Sequence, residues 1–470
     1  MKGILNMKIA ICNGSPKGND SITLQYALFI MKTIPGAEYE VYNIAAEISR
    51  LERDPEYFSQ VMSSLSDADV ILWSFGLWVL SVPAQLMRFF ELIEERCCTE
   101  MFAQRYAAIL STSIHYFDHT AHEYMRAVCE DMGMRIVDHI SLHMKDISDP
   151  EKRAMLHTFG ENIQHGIESG ICLPGEFPHL PHSNFTYTPS EPVHKIGTEG
   201  KKILILADRR NAGSNLEGMV SRFQACFVDE PELLYLEDID IKGGCRGCMA
   251  CGYDYTCVYR DGFTEFYNSK VREADIIVHA GEMKGRYLSS LWKTFFDRAF
   301  FWNHTPSLQG KQLGYIISGP VSHNRTLVQV LEAHASARQH ANHAGIISDE
   351  TGDSHRIDGD INSFAYRLVH YAHKSYVRPG DFLGAGGWKI FRDEIYSGIR
   401  MVWQADHRYY KKHGYYDFPN RNILMNLALG LLGLMLKVPR FRKRFYGKLK
   451  TMPAERTGKT AQMHTYQSVD

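Results

Sequence analysis

Two stretches of this 470-residue chain repeat one another, and that repeat restricts the fold more than any other feature. KIAICNG from Lys8 is matched by KILILAD from Lys202, an offset of 202 − 8 = 194. ADVILWS from Ala68 is matched by ADIIVHA from Ala274, an offset of 274 − 68 = 206. The same 206 brings Phe89-Phe90-Glu91 over Phe295-Phe296-Asp297, and RYAAILST from Arg105 over KQLGYIIS from Lys311. The apolar runs are of the kind buried in parallel sheets, and amphipathic helical stretches separate them. That alternation predicts two copies of a doubly wound α/β unit. The second copy is longer by 206 − 194 = 12 residues between its first and third core strands.

The boundaries follow from composition. Residues 1–168 form the first copy, and 169–200, rich in Pro, Gly and Ser, read as a linker. Residues 201–376 form the second copy, and 377–470 a helical, basic extension. The net charge is −2, so no field of the whole chain attracts nucleic acid, and no nucleic-acid partner is expected. MKGILNMKIA lacks the apolar core of a secretion signal, so a reducing, cytoplasmic setting is expected.

The first strand runs into GSPKGNDSIT, where a helix begins near Ser21. Gly14 permits a tight turn, Ser15, Ser21 and Thr23 bring hydroxyls, Asn19 an amide and Lys17 a cation. At a helix N-terminus after a first strand, that set suits a phosphate dianion; read without context, it equally suits an ordinary capped turn. The loop resembles that of the NADPH-dependent FMN reductase family, whose members are flavodoxin-like. LWVLSVPAQLMRFFEL from Leu77 is similar to the family's second signature, with Met87 where the family has lysine. The resemblance implies FMN in the first copy, with Trp78, Leu80, Ser81 and Val82 lining the ring and Ser113 and His115 at its polar edge. It also implies an oxidoreductase that uses NAD(P)H, although no separate nicotinamide fingerprint is present. No residue stands out as a general acid or base.

The second copy resembles the family unevenly. LWKTFFDR from Leu291 is a clear version of the signature helix, but Asp208 stands where the first copy has Gly14. Lys284 and Arg286 take the places of Trp78 and Leu80. A carboxylate there opposes a phosphate, whereas Arg209, Arg210, Ser214 and Asn215 could hold one. A second FMN and a vacant structural copy both remain open.

The extra residues include Cys245, Cys248, Cys251 and Cys257, four of the chain's ten cysteines, spaced C-x2-C-x2-C-x5-C. Tight spacing lets thiolates converge on a compact cluster, whereas structural zinc more often uses two separated pairs. A loop that binds no metal is the third reading. The motif is similar to that of the iron–sulfur flavoproteins, a subgroup of the same family, and implies a [4Fe-4S] cluster. Gly243, Gly244, Gly247 and Gly252 fit a backbone wrapped closely around something, and also a plain surface loop. His115, His119 and His122 share a helical face, but a polar helix after a flavin loop explains them better than a metal does. The remaining cysteines read as incidental thiols.

In the extension, ILMNLALGLLGLML from Ile423 is too short to span a bilayer, and the basic KVPRFRKRFYGKLK follows it. A helix lying on an anionic membrane surface and one packed on the α/β units both fit.

The expected fold is therefore two tandem flavodoxin-like doubly wound parallel sheets with a helical C-terminal extension. The expected function is electron passage between FMN in the first copy and a cluster in the second, the tandem acting as a pseudo-dimer or as part of a homo-oligomer. The expected partners are a small-molecule or protein electron donor and acceptor, with quinone and ferredoxin as examples. A cluster-free NAD(P)H-dependent FMN or quinone reductase is the alternative enzyme, and a non-catalytic redox sensor or scaffold the alternative of another class.

Overall fold

The computed structural model describes residues 7–302, 304–338, 340–417 and 423–449. The first copy contains β1 (Lys8–Asn13), α1 (Ile22–Met31), β2 (Glu38–Tyr42), α2 (Ile48–Arg53), α3 (Pro55–Asp67), β3 (Val70–Gly76), α4 (Ala84–Glu95), β4 (Tyr106–Ser113), α5 (Asp118–Asp131), β5 (Arg135–His143) and α6 (Pro150–Ser169). Its five strands are parallel in the order β2-β1-β3-β4-β5, the order of a flavodoxin-like sheet.

The second copy contains β6 (Ile203–Ala207), α7 (Asn215–Ala225), β7 (Glu232–Tyr235), a one-turn α8 (Phe263–Phe266), β8 (Ile276–Lys284), β9 (Tyr287–Leu288), α9 (Ser290–Arg298), β10 (Gln312–Ser318), α10 (Arg325–Ala333), β11 (Asn342–Ser348) and α11 (Ser354–His373). The order β7-β6-β8-β10-β11 repeats the first sheet, with the two-residue β9 added antiparallel to β8. Where the first copy has α2 and α3 between its second and third strands, the second has the cysteine segment and α8. The extension contributes α12 (Phe382–Ser397), α13 (Gln404–Lys412), α14 (Ile423–Met435) and α15 (Pro439–Leu449). Residues 1–409 form one compact unit and 410–470 another.

The apolar alternation explains how the copies join. One face of the first sheet buries α1 and α6 through Leu24, Ile30, Leu156 and Phe159. The corresponding face of the second buries α7 and α11 through Met219, Phe223, Ile361 and Phe364. The two remaining faces share one continuous apolar core, which includes Trp73, Phe89 and Phe90 from one copy and Trp292, Phe295 and Phe296 from the other. Helices α4 and α9 meet at its centre and cap each other. The Ala84 N–H donates to Asp297 Oδ2 at 2.9 Å, and the Ser290 N–H and hydroxyl donate to Glu91 at 2.5 Å. These positions are equivalent, since 84 + 206 = 290 and 91 + 206 = 297, so the interface is reciprocal as in a twofold dimer. Each carboxylate satisfies N–H groups that a helix start leaves without an intrahelical acceptor.

The segment 169–200 has little regular structure but is tied down. Glu130 accepts from the backbone of Glu176 and Phe177, and Tyr187 is buried with its hydroxyl on Asp358.

Candidate functional site

The carboxyl ends of β1, β3 and β4 open on a cavity of about 380 Å3, within the size range of small-molecule sites. Of the residues singled out in the sequence, Ser15, Lys17, Ser21, Thr23, Trp78, Leu80 and Ser113 line it. Asn13 organises the first loop by donating to Gly18 O and Asn43 Oδ1, both at 2.8 Å, and accepting from the Ser15 N–H. Ser21 caps α1 by accepting from the Leu24 N–H. The N–H groups of Ile22 and Thr23, at the cavity edge, have no acceptor within their own helix. Lys17 beside them completes a site for an anion.

Four other flavin candidates do not line the cavity. The Asn19 amide is held at the surface by Asn43 Nδ2 at 2.9 Å. Ser81 and Val82 turn into the core at 1% and 0% exposure. His115 lies at the surface, with Nδ1 2.8 Å from Asp118 Oδ2. His122 is buried away from it, bonded to the Ser111 hydroxyl at 2.7 Å.

The ring-side wall is a tight turn. The Trp78 and Ser81 backbones exchange hydrogen bonds of 2.8 and 3.0 Å, and Val79 and Leu80 between them take φ of 33° and 67°. Positive φ at a β-branched residue is costly and persists only when its surroundings impose it. Here Thr120 Oγ1 donates to Leu80 O at 2.6 Å and Lys293 Nζ, from the second copy, to Trp78 O at 3.0 Å. Lys293 is fully buried and paired with the equally buried Asp297.

Sequence reasoning did not reach the rest of the cavity wall. Met249 from the cysteine segment, Phe300 and His304 after α9, and Trp388, Phe391, Ile399, Val402 and Trp403 from the extension close it with mostly aromatic surface. The density of aromatics in 388–410 was a signal, but nothing in the local pattern said where they would fold. His304 is buried among Phe391, Phe300 and Trp403, with Nδ1 2.7 Å from Asp406 Oδ2. Burial pushes the Asp406 carboxyl above its ordinary pKa, and the bond to His304 partly offsets this.

A second, smaller cavity of about 30 Å3 adjoins the first and is lined by Cys245, Cys248, Cys251 and Cys257 together. Trp78, Met249 and Phe300 line both cavities. Arg298 anchors the cysteine segment through a buried double bond to Asp261, 2.8 Å each, and through Gly243 O at 2.9 Å. Gln85 of the first copy donates to Cys245 O at 3.0 Å. At Gly247, φ is +66° and a Cβ would lie 2.4 Å from the Trp78 ring, so only glycine lets the segment lie against that ring. None of the four forms a disulfide. Burial pushes the Cys245 thiol up to about 11; burial and then the other three cysteines push Cys251 up to about 12. Among the described residues, no three His, Cys, Asp or Glu side chains are placed to hold one metal ion.

The second copy's corresponding loop is taken up by carboxylates. The Gly213 N–H donates to Glu217 Oε2 at 2.6 Å, the Arg210 N–H to Glu237 Oε1 at 2.9 Å, and Asn211 Nδ2 to Glu282 Oε1 at 2.9 Å. Asp208 is buried beside them, its carboxyl pKa raised mainly by burial. Arg286, in the ring-loop position, turns to Asp131 of the first copy with two bonds of 2.6 Å. Of the residues that could receive a phosphate there, Arg210 is bonded to Glu237 and Asp238 and Asn215 to Asp349, whereas Arg209 and Ser214 line a cavity of about 80 Å3.

Residues 7–163 match a family model described as flavodoxin-like fold. These residues, about a third of the chain, are similar to that flavodoxin-like family. An iron–sulfur flavoprotein of Archaeoglobus fulgidus is 34% identical over 73 residues, 16% of this chain and 33% of that protein. The match therefore spans about a third of that relative's length. Among solved structures, an NADH:FMN oxidoreductase in its apo form is 18% identical, with a TM-score of 0.30 over 36% of this chain and 91% of its own. An NAD(P)H:quinone oxidoreductase from Methanothermobacter marburgensis is 18% identical, with a TM-score of 0.27 over 35% of this chain and 98% of its own. The matched residues thus make up a third of the chain, and residues between 249 and 403 build the other walls of the cavity.

Proposed function

We propose that this chain is an FMN-dependent oxidoreductase, with the flavin in the first copy's cavity and an iron–sulfur cluster on the four cysteines next to it. The shared wall carries this reading: Trp78, Met249 and Phe300 each face both cavities, so groups bound in the two would be separated by one layer of side chains. Lys17, Ser15, Ser21 and the first turn of α1 would hold the phosphate, while Trp78, Leu80 and the backbone of the strained turn would flank the ring. The four cysteines line one small cavity, and their tight spacing along the chain suits a compact multi-iron group better than the separated pairs of structural zinc. When bound, FMN supplies one- and two-electron chemistry and a [4Fe-4S] cluster one-electron chemistry, so the pair suits NAD(P)H or a quinone on one side and a one-electron carrier such as ferredoxin on the other.

The chain's own contribution is placement. The roof of Trp388, Phe391 and Trp403 excludes water from the ring side. The bond to Asp406 orients the His304 ring at that roof and sets which of its nitrogens carries the proton. Lys293 and Thr120 hold the turn against its strain. The second copy, its loop filled by carboxylates, serves as the scaffold that presents the cysteines.

A second reading, a reductase without a cluster, draws on the thiols. Burial raises the Cys245 and Cys251 thiols to about 11 and 12, which favours neutral thiols over the thiolates that a cluster binds. Flavin, iron and sulfide analysis of anaerobically prepared protein separates the two. The expected result is one FMN per chain with iron and sulfide, and a Cys248→Ser/Cys251→Ser variant that keeps flavin but loses the other two. Flavin without iron after reconstitution leaves the cluster-free reductase. A colourless protein that takes up neither ends both readings.

A further inference from the structure

We propose that residues 423–449 dock this chain on an anionic membrane surface. The proposal is independent of the flavin reading. Helix α14 exposes Leu424 at 80%, Leu427 at 66% and Leu431 at 61%, and none of its residues is buried. Asn426, Gly430 and Gly433, spaced four and three residues apart, form a narrow small or polar stripe, and apolar side chains occupy the rest of the circumference. A helix this apolar is stable in water only when something covers it.

Length and charge name the cover. Thirteen residues make a helix of about 20 Å, too short for a hydrocarbon core of about 30 Å, and among the described residues no single helix is long and apolar enough to cross a membrane. The chain then bends by 116° into α15. From Lys437 to Leu449 it carries Lys437, Arg440, Arg442, Lys443, Arg444 and Lys448, and 423–449 contains no Asp or Glu. Phe441 and Phe445 stack at 6.3 Å on α15, an aromatic pair suited to the headgroup boundary. An apolar helix continuous with a purely cationic one matches a bilayer whose headgroups are negative, with α14 in the acyl boundary and α15 among the phosphates. A second protein copy would meet the same cations with its own and be repelled.

The test is co-sedimentation of the full chain with phosphatidylcholine vesicles, with and without added phosphatidylglycerol. Binding is expected only with phosphatidylglycerol, and to weaken as salt is raised. Replacing Arg442, Lys443 and Arg444 by Gln should lower partitioning by about a hundredfold, and Leu427→Glu/Leu431→Glu should abolish it. Thermal unfolding of each variant reports whether the α/β units remain folded. Equal binding to both vesicle types, or binding insensitive to salt, overturns the proposal. So does a chain that ignores vesicles but forms a dimer dissociated by Leu431→Glu, which would assign the surface to a second copy.

Discussion

The ring-loop turn of the first copy and its counterpart in the second have the same hydrogen-bonded frame and opposite strain. Trp78 pairs with Ser81 in one, and Lys284 with Tyr287 in the other. The first copy puts Val79 and Leu80 at positive φ, whereas the second places Gly285 at φ 52° and has no strained side chain there. The phosphate loops differ in the same sense. The first leaves helix N–H groups and Lys17 facing a cavity; the second bonds its donors to Glu217, Glu237 and Glu282. Strain and open donors thus fall in the same copy, the one proposed to hold the flavin.

Four experiments press on that contrast. The largest effect belongs to Lys293→Met, which installs the residue the first copy has at Met87. It removes the buried cation beside Asp297, and should cost about 3–5 kcal/mol in chemical denaturation. A loss under about 1 kcal/mol would show that the pair does not hold the two copies together.

Acidity comes next. Each copy buries a histidine whose pKa is lowered from 6.5 to about 3, His122 in the first and His279 in the second; burial is the main cause, joined at His122 by the neighbouring His139. The unfolded chain binds these protons below 6.5 and the folded chain does not, so stability falls as pH drops through that window. By about pH 5 each histidine should cost on the order of 2 kcal/mol. His279 has both ring nitrogens without a partner, so His279→Leu should flatten the slope without a compensating loss. An unchanged slope would mean that this ring titrates in the folded protein.

Smaller still, Val79→Gly removes strain from the active turn and should raise stability by roughly 1 kcal/mol while weakening flavin retention. If stability drops and flavin is held as before, the strain argument fails. Finally, Ser21 and Ser214 cap α1 and α7 in the same way, so either change to Ala should cost about 1 kcal/mol or less. Only Ser21→Ala should alter flavin affinity; equal effects would erase the functional difference between the loops.

The core strands and the duplication were legible because buried parallel strands are continuous apolar runs and the offset of 206 keeps them aligned. The first loop and the cysteine spacing were legible because each is a local motif. Asn19 and His115 were misplaced relative to the cavity because local bonds to Asn43 and Asp118 turn them outward, and no motif encodes that. The glycines of the cysteine segment were ambiguous until Gly247 was found against Trp78.

By itself, the sequence determined two α/β units, one with an anion loop and one with a cysteine cluster, since periodicity and short spacings are properties of neighbouring residues. Only the tertiary structure decided that the cysteines of one copy share a wall with the cavity of the other, that α4 and α9 cap each other, and that Trp388, Phe391 and Trp403 roof the site. Those relations join residues from 160 (Gln85 and Cys245) to 388 (Ser15 and Trp403) positions apart, held by buried apolar surface and a few satisfied charges, and no local pattern along the chain records which distant faces will meet.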